Sequence, residues 1–323
     1  MRIFRHFEDV PEAAKGAVVA IGNFDGVHKG HQALIAEALA EARARGVPLA
    51  VLAFEPHPQE FFKPRPDSIR LTPLRMKARL LAELGVDALF ALTFDASMAG
   101  RTAPVFVEDV LVKGLGAKGV VVGPDFEFGK GRGGNLQSLK EMGVGHGFSV
   151  TCFEMVTTEG AKISSTRIRE ALAAARPEEA AKLLGRWWAV EARIEHGDGR
   201  GRTLGFPTAN MHLGHCFAPA FGVYAVRVTI MDNANLEKLR EVSRHDGVAN
   251  FGTRPMYQTV VPLMEAHLFD FDGDLYGQYL MVELISYIRP EAKFDGVPAL
   301  VAQIGRDAAR AREILAATPV LDA

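Results

Sequence analysis

Two domains of different class are predicted for this chain: an α/β domain with a doubly wound parallel sheet, then an antiparallel β-barrel or sandwich with a terminal helix. Three observations predict them. Up to about residue 184, short apolar runs alternate with helix-period stretches, the pattern of successive βα units. Beyond that point the helical pattern stops, and short alternating runs separated by Gly, Asp and Asn take over. At 323 residues the chain is also long for one core. The boundary is expected near 184–186, giving domains 1–184 and 185–323.

The first unit of the α/β half is AVVAIGNFDGVHKGHQAL, residues 17–34. The apolar run 17–21 reads as a strand buried on both faces. Residues 23–29 are a polar, glycine-bearing turn. Apolar residues then recur at Leu34, Ala38 and Ala42 and at Ile35 and Leu39, so a helix starts near Gly30 or His31. Strand, polar loop and helix N-terminus form a geometry that receives anions, because first-turn N–H groups lack intrahelical partners. His28 and His31, in the order H-x-G-H, reach a phosphate from one side and stabilise charge growing on it. The spacing is neither that of a P-loop nor GxGxxG. A zinc pair lacks further ligands nearby, since Cys152 and Cys216 are remote in sequence; surface histidines without a role are the remaining alternative.

A second buried strand covers 47–54. EPHPQEFFKPRP (55–66) follows, and its four prolines predict an ordered loop without a helix. That loop leaves the carboxyl end of a strand, where open α/β sheets hold ligands, so His57 and Pro58 border the crevice or merely pack there. A helix over 73–84, a strand over 87–94, a helix over 103–114 and a strand over 118–123 continue the alternation. PDFEFGKGRGGN (124–135), rich in glycine with Lys130 and Arg132, is a solvated flexible loop or a ligand loop. A strand over 148–155 leads to AKISSTRIREALAAA. Ser164, Ser165 and Thr166 are N-cap candidates with Glu170 in support. Arg167 and Arg169 stand against the helix dipole, which suggests an anion nearby. A helix pair over 165–184 closes the half.

In the β half the runs are WAVEARIEH, FGVYAVRVTI, VVPLMEAHLFDF and YLMVELISYI. GDGRGRTLGFPTAN (197–210) lets backbone N–H groups approach an anion beside Arg200 and Arg202, or is a plain hairpin loop. Thr208 and Asn210 alternate along an extended segment and offer hard oxygens suited to Mg²⁺. Residues 296–315 form an amphipathic helix with Leu300, Ile304, Ala308 and the 311–315 region along one face.

Bulk properties narrow the class. A net charge of −2 gives no overall basic footprint for nucleic acid. Two cysteines make no disulfide framework. MRIFRHFEDVPEA lacks a signal-peptide core, and no run approaches a membrane span, so a cytoplasmic protein with no membrane partner is expected.

GNFDGVHKGHQ (22–32) resembles the nucleotidyltransferase superfamily and, within it, the bacterial bifunctional riboflavin kinase/FAD synthetase family. ISSTRIR resembles the second nucleotidyltransferase signature, and G-x-DF-x-FG-x-x-R-x-G at 123–134 matches the pattern that family places near the nucleotide and flavin phosphate. FPTAN resembles the riboflavin kinase signature, and GVY, GVANFGTRP, MEAHLFDFDGDLYG and IRPEAKF agree in order. The resemblance covers essentially the whole chain. It implies a nucleotidyltransferase-like first domain making FAD from FMN and ATP, and a kinase β-barrel making FMN from riboflavin and ATP, with magnesium at both. His28 and His31 then grip ATP phosphates, with Gly22, Asn23, Phe24, Gly30, Ser164, Ser165, Thr166 and Arg169 around them. Asn23, Asp125 and Arg289 fall on the flavin side. Gly199 and Arg202 cover ATP in the kinase, Thr208 and Asn210 hold the metal, and Glu265 takes the proton from the ribityl hydroxyl. From pattern alone Glu265 is equally a strand carboxylate facing solvent. No side chain is a convincing covalent nucleophile, so direct attack is expected. Trp187-Trp188 and Met256 depart from the family pattern. Partners are small molecules only, and oligomeric state is left open.

Overall fold

The computed structural model describes residues 1–64, 68–154, 156–158, 160–195, 201, 204–231, 241–256 and 259–321. By contacts the chain divides into two compact units, Met1–Pro66 with Arg70–Ser165, and Asp67–Ile69 with Thr166–Ala323. The helix pair expected to close the first domain therefore groups with the second unit.

In the first unit, β1 (Arg2–Phe4), β2 (Val18–Ile21), β3 (Leu49–Glu55), β4 (Ala88–Thr93), β5 (Gly119–Val122) and, later, Ser149–Cys152 form a sheet. Short strands β6 (Glu127–Phe128) and β7 (Gly134–Asn135) intervene, so Ser149–Cys152 is β8. The order is β1-β4-β3-β2-β5-β8, with every pairing parallel. From β2 the chain winds outward through β3 and β4, then restarts on the other side at β5. The direction reverses between β2 and β5, and the crevice beyond their carboxyl ends is where such sheets take ligands. β2 and β5 are buried throughout, as their unbroken apolar runs require.

Helix α1 (Lys29–Arg45) buries Leu34, Ile35, Ala38 and Ala42, and ends on Gly46 in the left-handed region. Pro58–Phe62 forms a short helix, α2, where a loop was expected. Pro58 occupies the first turn, where its missing N–H leaves no bond unmade, and the His57 side chain caps the N-terminus by accepting from Gln59. Next come α3 (Leu74–Glu83), α4 (Ala96–Gly100) and α5 (Ala103–Phe106), the last continuing as a π-helical segment, Val107–Gly114. The 124–135 stretch is no plain flexible loop: β6 and β7 pair in it around a 3₁₀ turn, and helix α6 (Leu136–His146) follows on an Asn135–Ser138 capping box. β9 (Thr157–Thr158) and β10 (Ala161–Lys162) make a small ribbon.

In the second unit, α7 (Ser165–Ala173, beginning on the last residue of the first unit) and α8 (Pro177–Leu184) precede six antiparallel strands: β11 (Ala189–Arg193), β12 (Ala209–His212), β13 (Gly222–Met231), β14 (Glu241–Met256), β15 (Thr259–Leu268) and β16 (Tyr279–Arg289). Their order is β11-β16-β13-β14-β15-β12, and a bridge between Glu195 and Asn210 brings the two edges together into a nearly closed barrel. β14 was not among the strands expected. The terminal helix α9 (Val297–Ala317) lays Ala311 and Leu315 against Val223, Ala225, Val248 and Ile285, with Ala181 and Trp187 in the same cluster. That shared core is why α8 belongs to this unit. Arg227 of β13 donates to the carbonyls of Leu315, Thr318 and Pro319, a cation placed on the C-terminal end of α9.

Candidate functional site

The loop between β2 and α1 holds the first cluster. Phe24, Gly26 and Val27 all have positive φ, at 49°, 85° and 42°. For the β-branched Val27 this is an outlier that stores of order 1–3 kcal/mol and persists only where surroundings fix it. Asp25 does the fixing. Its side chain is buried, and Oδ1 accepts from the N–H of Leu71 at 2.8 Å and of Thr72 at 3.1 Å. The Thr72 hydroxyl accepts from the Gly26 N–H at 2.9 Å, and Ser165 Oγ donates to the Asp25 carbonyl at 2.8 Å. The side chain of Asp25 thus joins the loop to 71–72, while its carbonyl joins it to Ser165, the last residue of the first unit.

His28 is buried as the N-cap of α1, its Nδ1 accepting from the His31 N–H at 3.3 Å. The two imidazoles stack with centroids 3.6 Å apart, 13° from parallel. A Cβ on Gly30 would stand 3.2 Å from Cε1 and Nδ1 of His28, so this glycine makes room for the ring. His31 Nδ1 is shut off from water without a hydrogen-bond partner. Burial, then His28, Lys77 and Lys162, push the His31 pKa well below its ordinary value. Phe24 packs 5.1 Å from the His31 ring and 3.3 Å from the space a Gly22 Cβ would need. Lys77, almost fully buried on α3, pairs with Glu55 at 3.4 Å, and Glu55 also meets Arg70 at 2.9 Å. Asn23 is half-buried in the loop. Beyond β5, Asp125 is exposed and bonded to Lys162 at 2.5 Å, which holds its carboxyl below the usual range.

Ser164 precedes α7 and Ser165 opens it; Thr166 is exposed. Arg169 donates to the Ile69 carbonyl at 3.1 Å.

The barrel carries the second cluster. Glu265 of β15 faces Asn210 of β12 on one side and Asn250 of β14 on the other. Direct cross-strand partners share a face, so an amide, a carboxylate and an amide stand in one row. Met264 and Ala266 are fully buried on the opposite face, and Glu265 is half-buried. Asn210 Nδ2 donates to the Thr208 carbonyl at 3.4 Å, while its Oδ1 is buried without a partner. An orphaned hard oxygen is what a magnesium ligand presents. A Cβ on Gly201 would stand 3.2 Å from Thr208 Oγ1, so the glycine-rich segment comes close to the same strand start. Gly199 and Arg202 lie outside the described residues.

Continuing across the sheet, Asn250 pairs with Val223 and Val223 with Arg289. Arg289 Nε donates to both oxygens of buried Asp307, Nη2 to Oδ2 at 2.7 Å and Nη1 to the Pro290 carbonyl at 2.8 Å. This cation, expected on the flavin side, is engaged by the terminal helix. Trp187 and Trp188 are both buried. Sequence reasoning missed Asp25, Thr72, Lys77, Asn250 and Asp307. Asp25 had a signal in its place inside Gly-Asn-Phe-Asp-Gly; Thr72 and Lys77 had none, being distant in sequence.

Comparison with known proteins matches the two halves of the chain separately. A family model described as FAD synthetase matches residues 10–167, and one described as riboflavin kinase matches 184–315. A curated relative from Escherichia coli (strain K12), named bifunctional riboflavin kinase/FMN adenylyltransferase, is 42% identical over 98% of this chain and 99% of its own. A relative of the same name from Pseudomonas fluorescens is 40% identical over 98% of each chain. A solved structure titled as a macrolide-efflux protein from Streptococcus pneumoniae is 32% identical, covers 96% of this chain and 98% of its own, and superposes with a TM-score of 0.81. Among the described residues, no helix is long and apolar enough to cross a membrane.

Proposed function

This chain belongs to the bifunctional riboflavin kinase/FMN adenylyltransferase family, and from that premise we propose which of its residues carry each transfer. Two reactions follow from the family. One moves the γ-phosphoryl of ATP to riboflavin, giving FMN and ADP; the other moves AMP from a second ATP to FMN, giving FAD and pyrophosphate. Residues 1–184 are assigned the adenylyl transfer and 185–323 the phosphorylation, both in the cytoplasm.

Glu265 is the base of the kinase. The observation that carries this assignment is its register opposite Asn210, which puts a carboxylate beside an unpartnered amide oxygen on one face. Asn210 and Thr208 supply oxygens for magnesium, which when bound neutralises charge on the phosphates. Glu265 accepts the proton of the ribityl hydroxyl as that oxygen attacks, and Gly199 and Arg202 cover the nucleotide. Arg289 holds the flavin-side wall.

In the adenylyl transfer, His28 and His31 at the head of α1 stabilise charge developing on the ATP phosphates, together with the first-turn N–H groups of α1. Gly22, Asn23 and Phe24 shape the floor, Ser164, Ser165, Thr166 and Arg169 cradle the leaving phosphates, and Asn23 and Asp125 face the flavin. The FMN phosphate attacks the α-phosphorus of ATP directly, and pyrophosphate leaves.

The test is an end-point assay with purified protein, riboflavin, ATP and Mg²⁺, flavins being separated by chromatography. Wild type gives FMN and FAD. Glu265→Ala stops FMN formation but still converts supplied FMN to FAD, and the His28→Ala/His31→Ala variant does the reverse. FMN formation by Glu265→Ala would remove the base assignment; FAD formation by the double variant would remove the phosphate grip.

A further inference from the structure

We propose that Asn250 and Glu291 are positioning residues of the kinase centre, with Glu291 orienting the Asn250 amide beside the Glu265 carboxylate. This rests on Glu265 being the base.

Of the two amides that flank Glu265, Asn210 leaves its oxygen unspent, whereas Asn250 is held from above: its Nδ2 donates to Glu291 Oε1 at 3.4 Å. Glu291 arrives from outside the sheet, on the segment that follows β16. Its backbone exit is fixed two residues earlier, where Arg289 is clamped by Asp307. Its carboxylate then occupies the place a side chain at residue 252 would fill: a Cβ on Gly252 would overlap Glu291 Oε1. Gly252 lies two residues from Asn250 on β14, hence on the same face. Its φ is outside the left-handed region, so backbone conformation does not call for glycine there. A glycine inside a strand that no dihedral requires marks the close approach of another group, here the Glu291 carboxylate.

The consequence is chemical. An Asn amide has two N–H donors, and with Glu291 accepting from one, the amide is biased toward a single orientation. The rest of the amide is then presented to the row that Glu265 shares. A fixed neutral dipole next to Glu265 keeps the carboxylate in one orientation, and a base displaced by about 1 Å loses up to 10²-fold in rate. A simple staple holding 289–291 to the barrel would use the same contacts, and it differs in what its removal changes.

The experiment uses the full chain: kcat and KM for riboflavin phosphorylation, with conversion of supplied FMN to FAD by the same preparation as control. Glu291→Ala and Gly252→Ala are each expected to lower the kinase kcat roughly ten- to hundredfold, with little change in KM for riboflavin and none in FAD formation. Because both act through one contact, the double variant should be no worse than either alone. Glu291→Gln, which keeps an acceptor oxygen, should recover most of the rate. Asn250→Ala, which removes the amide itself, should lower kcat at least as far as Glu291→Ala, again with KM for riboflavin little changed. Wild-type kcat in Glu291→Ala and Gly252→Ala, or in Asn250→Ala, overturns the proposal while Glu265→Ala remains inactive. Loss of FAD formation and of melting temperature in step with kcat identifies the staple instead and also overturns it. If Glu265→Ala still makes FMN, the base assignment fails and this inference falls with it.

Discussion

His28 and His31 stack face to face across the N-terminus of α1, 3.6 Å between ring centroids, with the Nδ1 of His31 closed to water. Two cationic imidazoles at that separation repel, and burial disfavours charge on either. His31 is therefore held neutral, its pKa pushed below the ordinary 6.5 by burial first and His28 next. Between the folded value and 6.5, the unfolded chain binds a proton that the folded protein does not. This contribution to stability is complete above pH 6.5 and falls as pH drops through the window below it. Denaturant unfolding at pH 7.5 and 5.5 should show a larger loss for wild type than for His31→Gln; equal losses would contradict a depressed His31.

Gly30→Ala places a methyl group 3.2 Å from the His28 ring, which must shift by a few tenths of an ångström while stacked on His31. FMN adenylylation should fall roughly tenfold or more as the ring is displaced, while riboflavin phosphorylation is unchanged. Measuring both activities on one preparation checks this.

Asp25→Ala removes the acceptor for two backbone N–H groups, of Leu71 and Thr72, in a buried site. Unsatisfied buried donors put the expected destabilisation at about 2–4 kcal/mol. Asp25→Asn, which keeps one acceptor oxygen, should lose less. Urea midpoints of the two variants distinguish the outcomes.

Asn210→Ala deletes the unpartnered oxygen beside Glu265. Half-saturating Mg²⁺ for FMN formation should rise at least about tenfold, with FAD formation from FMN keeping its wild-type magnesium dependence. An unchanged Mg²⁺ titration of the kinase would rule Asn210 out as a ligand.

Asp307→Asn leaves Arg289 without its counter-ion. Asp307 is nearly fully buried but Arg289 is 21% exposed, so the loss should be about 2 kcal/mol, below that of a fully buried pair. Thermal unfolding of the variant measures it, and an unshifted melting temperature would mean the ion pair contributes nothing.

The α/β alternation, the start of α1, both histidines and the change to antiparallel strands were legible because each depends on local pattern. Apolar runs of strand length, a 3.6-residue period and turn glycines act within a few residues of one another. The resemblance in GNFDGVHKGHQ and FPTAN carried the chemistry further than pattern could. Other elements were hidden for physical reasons. β1 is three exposed or half-buried residues on a sheet edge. α2 forms in a proline-rich stretch because Pro58 happens to fall in the first turn. β14 carries glycines and charges that local propensity reads as loop, and neighbouring strands on both sides make it a strand.

By itself the sequence determined the class of each half, the anion-receiving loop and the residue types at both centres. Only the tertiary structure decided that Asp25 locks the loop onto Thr72, that Glu265 lies between Asn210 and Asn250, and that Asp307 holds Arg289. Those partners are 15 to 55 residues apart in sequence, and register across a barrel is set by the packing of both faces at once. A local pattern can propose a side chain, and long-range packing selects the neighbours that give it a role.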